Sequence, residues 1–79
     1  MGKEVILYST PFCAPCEQLK KFLREEGVEF KVKDLMMDQE AAELMDEIGV
    51  RSTPALGIDG KVLFGPDLSP ENLRKELSL

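Results

Sequence analysis

Histidine and tryptophan are absent from this chain, and only two of its 79 residues are cysteine. Without histidine there is no imidazole to activate a cysteine, so a Cys-His hydrolase is excluded. Two cysteines without histidine also fall short of the four ligands of a structural zinc site, which could form only across a dimer or with carboxylates. Positive charge is scarce: ten Lys and Arg against fifteen Asp and Glu leave a net charge of −5. The basic residues are scattered, with no stripe and no aromatic platform beside one, which argues against a nucleic-acid partner. Long apolar runs are missing as well. The first, Val5 to Tyr8, is far too short for a membrane span or a signal-peptide core. Met1-Gly2 is not a myristoylation context, because Ile6 stands where Ser or Thr is wanted. A cytosolic protein without membrane attachment is expected. In a reducing cytosol, a lone close cysteine pair is more often catalytic or metal-binding than structural.

The length suits a single domain over residues 1–79, of a size that buries only about 60% of its unfolded surface. Val5-Ile6-Leu7-Tyr8 is continuously apolar with two β-branched residues, as in a central strand covered on both faces. From Ala14 to Glu26 the pattern turns helical: Cys16, Leu19 and Leu23 recur at helical spacing, with Phe22 widening the stripe. Pro15 is tolerated in a first helical turn, and Gly27 is a suitable stop. Glu29 to Leu35 alternates, with Phe30 and Val32 on one face and Lys31 and Lys33 on the other, which suits a protected edge strand. Asp38 can cap a helix whose apolar stripe is Ala41, Leu44, Met45 and Ile48, ended by Gly49. Ala55 to Ile58 and Lys61 to Phe64 read as strands joined by the hairpin turn Asp59-Gly60. Ser69-Pro70-Glu71 opens a last helix anchored by Leu73 and Leu77. The order β-α-β-α-β-β-α, with a right-handed crossover and a terminal hairpin, predicts an α/β fold: a four-stranded mixed sheet flanked by three helices.

The two cysteines lie at the junction of the first strand and first helix, in Tyr8-Ser9-Thr10-Pro11-Phe12-Cys13-Ala14-Pro15-Cys16. Thiol–disulfide exchange needs an attacking thiolate, an accessible disulfide and a second thiol to resolve the mixed intermediate. A C-x-x-C on a first helical turn meets that need. Cys13 would be exposed with backbone N–H groups pointing at its sulfur, and Cys16, one turn further in, would be shielded. Cys13 is therefore the expected nucleophile and Cys16 the resolving thiol. Bringing a cysteine pKa from about 8.5 to about 7 takes about 2 kcal/mol, which a partly buried helix N-terminus can supply. An inert disulfide is the weaker alternative, because so short a loop removes little unfolded-state entropy. No acid lies within the central strand to relay a proton, and Glu17 need not face the sulfurs.

These residues, together with Ser52-Thr53-Pro54 before the hairpin and the order of elements, resemble a glutaredoxin of the thioredoxin superfamily. The resemblance covers nearly the whole chain. It implies the thioredoxin-like fold, thiol–disulfide oxidoreductase activity in redox homeostasis and electron transfer, and a monomer with no tightly bound cofactor. It also implies a cis Thr53-Pro54 bond beside the cysteines, with the Thr53 backbone pairing with the cysteinyl backbone of a substrate. Around that substrate it places Thr53, Pro54, Gly65 and Asp67, and Phe12, Pro15, Arg51 and Ser52 are candidate contacts beside them. The partners implied are disulfide-containing proteins, with glutathione or thioredoxin reductase as electron donor.

The departures concern glutathione. Ser9-Thr10-Pro11 stands where glutaredoxins commonly carry a basic residue, and Ala14-Pro15 replaces Pro-Tyr between the cysteines. In Phe64-Gly65-Pro66-Asp67 one glycine of a Gly-Gly pair is replaced; Asp67 could still meet the glutathione amino group, but Pro66 removes a backbone donor. A donor recycled by thioredoxin reductase is the alternative within the same chemistry, and a dimeric iron–sulfur cluster carrier is an alternative outside it. Arg51 could reach a substrate carboxylate or be a solvated loop arginine. Phe12 is either an exposed contact for partners or a cover for the sheet edge. The acids Asp38, Glu40, Glu43, Asp46 and Glu47 read as a solvated helix face, and Met36 and Met37 as core or loop filling.

Overall fold

The computed structural model describes residues 4–51 and 53–79. Four strands, β1 (Val5–Ser9), β2 (Lys31–Asp34), β3 (Ala55–Ile58) and β4 (Lys61–Phe64), form one sheet in the order β2-β1-β3-β4. β1 runs parallel to β2 and antiparallel to β3, and β3 and β4 form an antiparallel hairpin. Three α-helices, α1 (Ala14–Glu25), α2 (Gln39–Glu47) and α3 (Pro70–Glu76), cover it. This is the predicted mixed α/β arrangement in the predicted order.

β1 is central because both its faces are apolar. On one face Val5 and Leu7 pack with Leu19 and Leu23 of α1, Leu56 and Ile58 of β3, Leu63 of β4 and Leu73 of α3. On the other face Tyr8 and Ala55 meet Ala41, Met45 and Val50, so α2 lies alone on that side. Leu7 and Leu56, neighbours in the β1–β3 register, are fully buried. Gly57 belongs to the second face: a Cβ there would sit 3.3 Å from the Tyr8 ring, so the glycine leaves the ring room to lie flat.

Local chemistry sets the ends of these elements. Asp38 caps α2 by accepting the Ala41 N–H at 3.0 Å, and Ser69 caps α3 by accepting the Asn72 N–H at 3.3 Å. Asp59 and Gly60 both take positive φ, 48° and 90°, as a two-residue turn matched to strand twist requires.

Four expectations need correction. β2 is shorter than the alternation over Glu29–Leu35 implied, because its ladder to β1 extends only from Lys31 to Asp34. Val32 is not on a covered face: it is 45% exposed, because α1 presents Glu17 and Lys20 there rather than its apolar stripe. α2 meets the sheet through Ala41 and Met45 only, leaving Leu44 and Ile48 at the edges of the stripe in water. Between β4 and α3 the chain makes an unforeseen single 3-10 turn, η1 (Gly65–Leu68). None of the helices among the described residues is long and apolar enough to cross a membrane.

Candidate active site

β1 ends at Ser9 and the chain turns through Pro11 and Phe12, the latter with φ 59° and its side chain fully in water. That turn sets Cys13 as the N-cap of α1, in extended conformation at φ −107°, ψ 104°. An N-cap side chain normally offers oxygen to an orphan amide of the first turn. Here sulfur does so: the Cys16 N–H donates to Cys13 Sγ at 3.2 Å. Cys13 and Cys16 are joined as a disulfide, with Cα atoms 5.2 Å apart. Their surroundings differ sharply. Cys13 is half-buried, whereas Cys16 points into the protein and is 1% exposed.

The loop before β3 closes over the same sulfur. The Thr53-Pro54 peptide bond is cis, as the resemblance implied. The Thr53 hydroxyl donates to Cys13 Sγ at 3.7 Å and lies 3.1 Å from the Thr10 hydroxyl. With the Thr53 proton directed at sulfur, its oxygen is free to accept from Thr10. One hydroxyl, itself backed by Thr10, and one backbone amide thus converge on Cys13, the kind of environment that favours a thiolate over a thiol. Sequence reasoning missed Thr10, whose signal lay only in a hydroxyl residue standing where a basic one was expected.

Two grooves, each of about 450 Å³, flank this centre. One runs from Pro15 and the Thr53-Pro54 loop along α1 to Gly65 and the start of α3. The other lies toward β2, lined by Thr10, Phe12, Cys13, Glu17, Lys20 and Asp34 among others. In the second groove the Lys20 ammonium sits 2.7 Å from the Glu17 carboxylate. Its hydrogen bond and its charge hold Glu17 below the ordinary carboxylate range.

Of the residues predicted for the site, the structure gathers Phe12, Pro15, Thr53, Pro54 and Gly65 around the disulfide and its grooves. Asp67 is exposed and does not line the groove that Gly65 enters; its carbonyl instead accepts from the Asn72 side chain at 2.7 Å. Arg51 is exposed. Ser52 lies outside the described residues. Among the described residues no three His, Cys, Asp or Glu side chains converge as metal ligands.

A strand, a cysteine pair opening a helix, and a cis-proline loop facing the first sulfur are the parts of a thiol–disulfide exchange site. A family model described as Glutaredoxin matches residues 5–63. The chain belongs to the glutaredoxin family. The glutaredoxin of Vernicia fordii is 31% identical over 70 residues, covering 84% of this chain and 67% of that one. A glutaredoxin-like 8.6 kDa protein in the rubredoxin operon of Clostridium pasteurianum is 30% identical over 60 residues, 75% of this chain and 80% of the relative. Among solved structures, the thioredoxin-like protein BC3987 superposes with a TM-score of 0.81 at 32% identity, over 94% of this chain and all of that one. As a glutaredoxin-family protein carrying the Cys13–Cys16 pair, this chain is a thiol–disulfide oxidoreductase.

Proposed function

We propose that this glutaredoxin-family protein reduces disulfides in other proteins by a dithiol mechanism and regains its electrons from thioredoxin reductase rather than from glutathione. The observation that carries the dithiol half is the contrast between the two sulfurs of one disulfide, one half-buried at a helix cap and the other 1% exposed. Only Cys13 can meet a bulky disulfide. Its thiolate attacks one substrate sulfur, forming a mixed disulfide and releasing the other sulfur as a thiolate. Cys16, losing its proton to solvent, then attacks Cys13 Sγ, re-forming the internal disulfide and releasing the second substrate thiolate. Two electrons pass to the substrate, and the protein is left oxidised. Thr53 and Pro54 hold the substrate chain beside Cys13, and the Thr53 hydroxyl steadies the negative sulfur.

The electron-donor half is supported by what surrounds the cis-proline loop. Glutathione brings two carboxylates and an ammonium group, and charges leaving water need partners. Among the described residues, those lining the groove beside Thr53 and Pro54 are all uncharged, and Asp67 is not one of them. Pro66 in addition has no N–H to offer. The decisive test is recycling of the oxidised protein at matched NADPH, with thioredoxin reductase in one arm and glutathione plus glutathione reductase in the other. Fast turnover with thioredoxin reductase and slow turnover with glutathione is the expected result. Fast turnover with glutathione alone would overturn the choice of donor and leave the dithiol mechanism standing.

A further inference from the structure

The uncharged groove begins beside the redox centre, at Thr53 and Pro15, so a chain disulfide-bonded to Cys13 can extend into it. Thr53, whose hydroxyl touches Cys13 Sγ, and Pro15, two residues beyond Cys13, stand at its near end. Away from the sulfur its walls become apolar: Leu19 and Phe22 from α1, Leu68 from η1, and Pro70 and Leu73 from α3. Leu73 is 1% exposed and Leu19 6%, so both belong to the folded core beneath the groove. Nearly a third of the chain is charged, yet among the described residues none of the ten that line the groove is. Arg74, beside the wall, is already engaged: it lies over the Phe22 ring, 5.9 Å from the centroid, and pairs with Glu26 at 3.5 Å.

We infer that this groove is a specificity pocket for a large apolar side chain, aromatic or branched aliphatic, carried by the substrate protein within a few residues of the cysteine that Cys13 attacks. The inference rests on the protein-disulfide reading above and adds which protein disulfides are preferred. A volume of about 450 Å³ is in the range of sites that enclose a small ligand, and it accommodates one aromatic side chain together with adjoining backbone. Burial against Phe22, Leu68 and Pro70 removes apolar surface from water on both partners. A charged side chain in the same place would lose its hydration and meet no counter-charge. Selection therefore acts through exclusion as well as attraction.

The test uses short peptides with one cysteine held in a mixed disulfide with 5-thio-2-nitrobenzoate. Attack of Cys13 on the peptide sulfur releases that chromophore, and Cys16 then frees the peptide thiol. Phe, Ala and Glu are compared at each of the two positions on either side of the cysteine. At one position the Phe peptide is expected to exceed the Ala peptide in kcat/KM by about ten- to a hundredfold, the scale set by burying one large apolar side chain. The Glu peptide is expected to fall below Ala. In Leu68→Ala the Phe-to-Ala ratio should drop toward one. Because Leu68 is partly buried, Gln18→Glu serves as a second variant: it changes an exposed residue of the groove wall and should lower the rate for Phe peptides while raising it for Lys peptides. Equal rates for all peptides, or a Phe preference unchanged in both variants, would overturn the pocket while leaving protein-disulfide reduction intact. No turnover of any peptide would overturn the protein-disulfide reading itself, and the pocket with it.

Discussion

The two grooves beside Cys13 have the same volume, about 450 Å³, and differ in charge. The one toward α3 is uncharged, floored by core residues and walled by segments far apart in sequence, from Pro15 to Leu73. The one toward β2 contains Glu17, Lys20 and Asp34, and its rim is the fully exposed Phe12. A single sulfur thus faces an apolar environment on one flank and an ionic, hydrated one on the other. A substrate chain entering the first flank meets no charge, whereas on the second it meets the exposed Glu17–Lys20 ion pair, which contributes little.

The largest effect tests the atom both flanks share. Cys13→Ser is expected to lower disulfide reductase turnover by at least about a thousandfold, since the nucleophile itself is gone. Cys16→Ser should instead accumulate a covalent mixed disulfide, seen as a substrate-sized mass increment. Retention of full steady-state activity by Cys13→Ser would sink the assignment. The next effect belongs to the α3 flank. Leu73→Ala, at 1% exposure, should cost about 2–5 kcal/mol in denaturant unfolding, because the groove floor is also core. A cost below about 1 kcal/mol would mean that the floor collapses to fill the void.

A smaller effect lies between the flanks. Thr53→Val removes the side-chain hydroxyl aimed at Cys13 Sγ and should slow alkylation of the reduced protein at pH 7 by about three- to tenfold. Thr10→Val should do less, since it acts through Thr53, and Thr53→Ser should restore the rate. An unchanged rate in Thr53→Val would show the Cys16 amide to be sufficient. The smallest effect is on the β2 flank. Glu17 is held below the ordinary carboxylate range by the Lys20 hydrogen bond and charge. Its linkage therefore favours the folded state above the unfolded-state pKa and fades as pH falls through the lowered folded value. Being fully exposed, it should leave the thermal midpoint of Lys20→Met at pH 7 nearly unchanged. NMR titration should show the Glu17 carboxyl rising to the ordinary range in that variant; no movement would remove Lys20 as the cause.

What was legible in the sequence followed from local chemistry. The β3–β4 hairpin, the Asp38 and Ser69 caps and the burial of β1 each depend on residues adjacent along the chain, and the structure has them as read. The cysteine pair opening α1 was legible for the same reason. β2 was overextended because alternation reveals a strand's faces but not where its ladder partner runs out. η1 gave no warning, since a single turn around Pro66 has no periodicity to detect. The Thr10–Thr53 pair spans 43 residues and the uncharged groove nearly 60, so only the folded sheet brings them together. Asp67 came from the family resemblance, and η1 carries it outside that groove.

Capping α1 with sulfur has a spectroscopic consequence. The atom that exchanges electrons is also the acceptor for the Cys16 amide proton, at 3.2 Å. Thiolate, mixed disulfide and internal disulfide differ in charge at that acceptor, and an amide proton shift follows the charge it points toward. The Cys16 amide resonance is therefore a built-in indicator of redox state. It can be followed through a complete catalytic cycle without attaching a label to the protein.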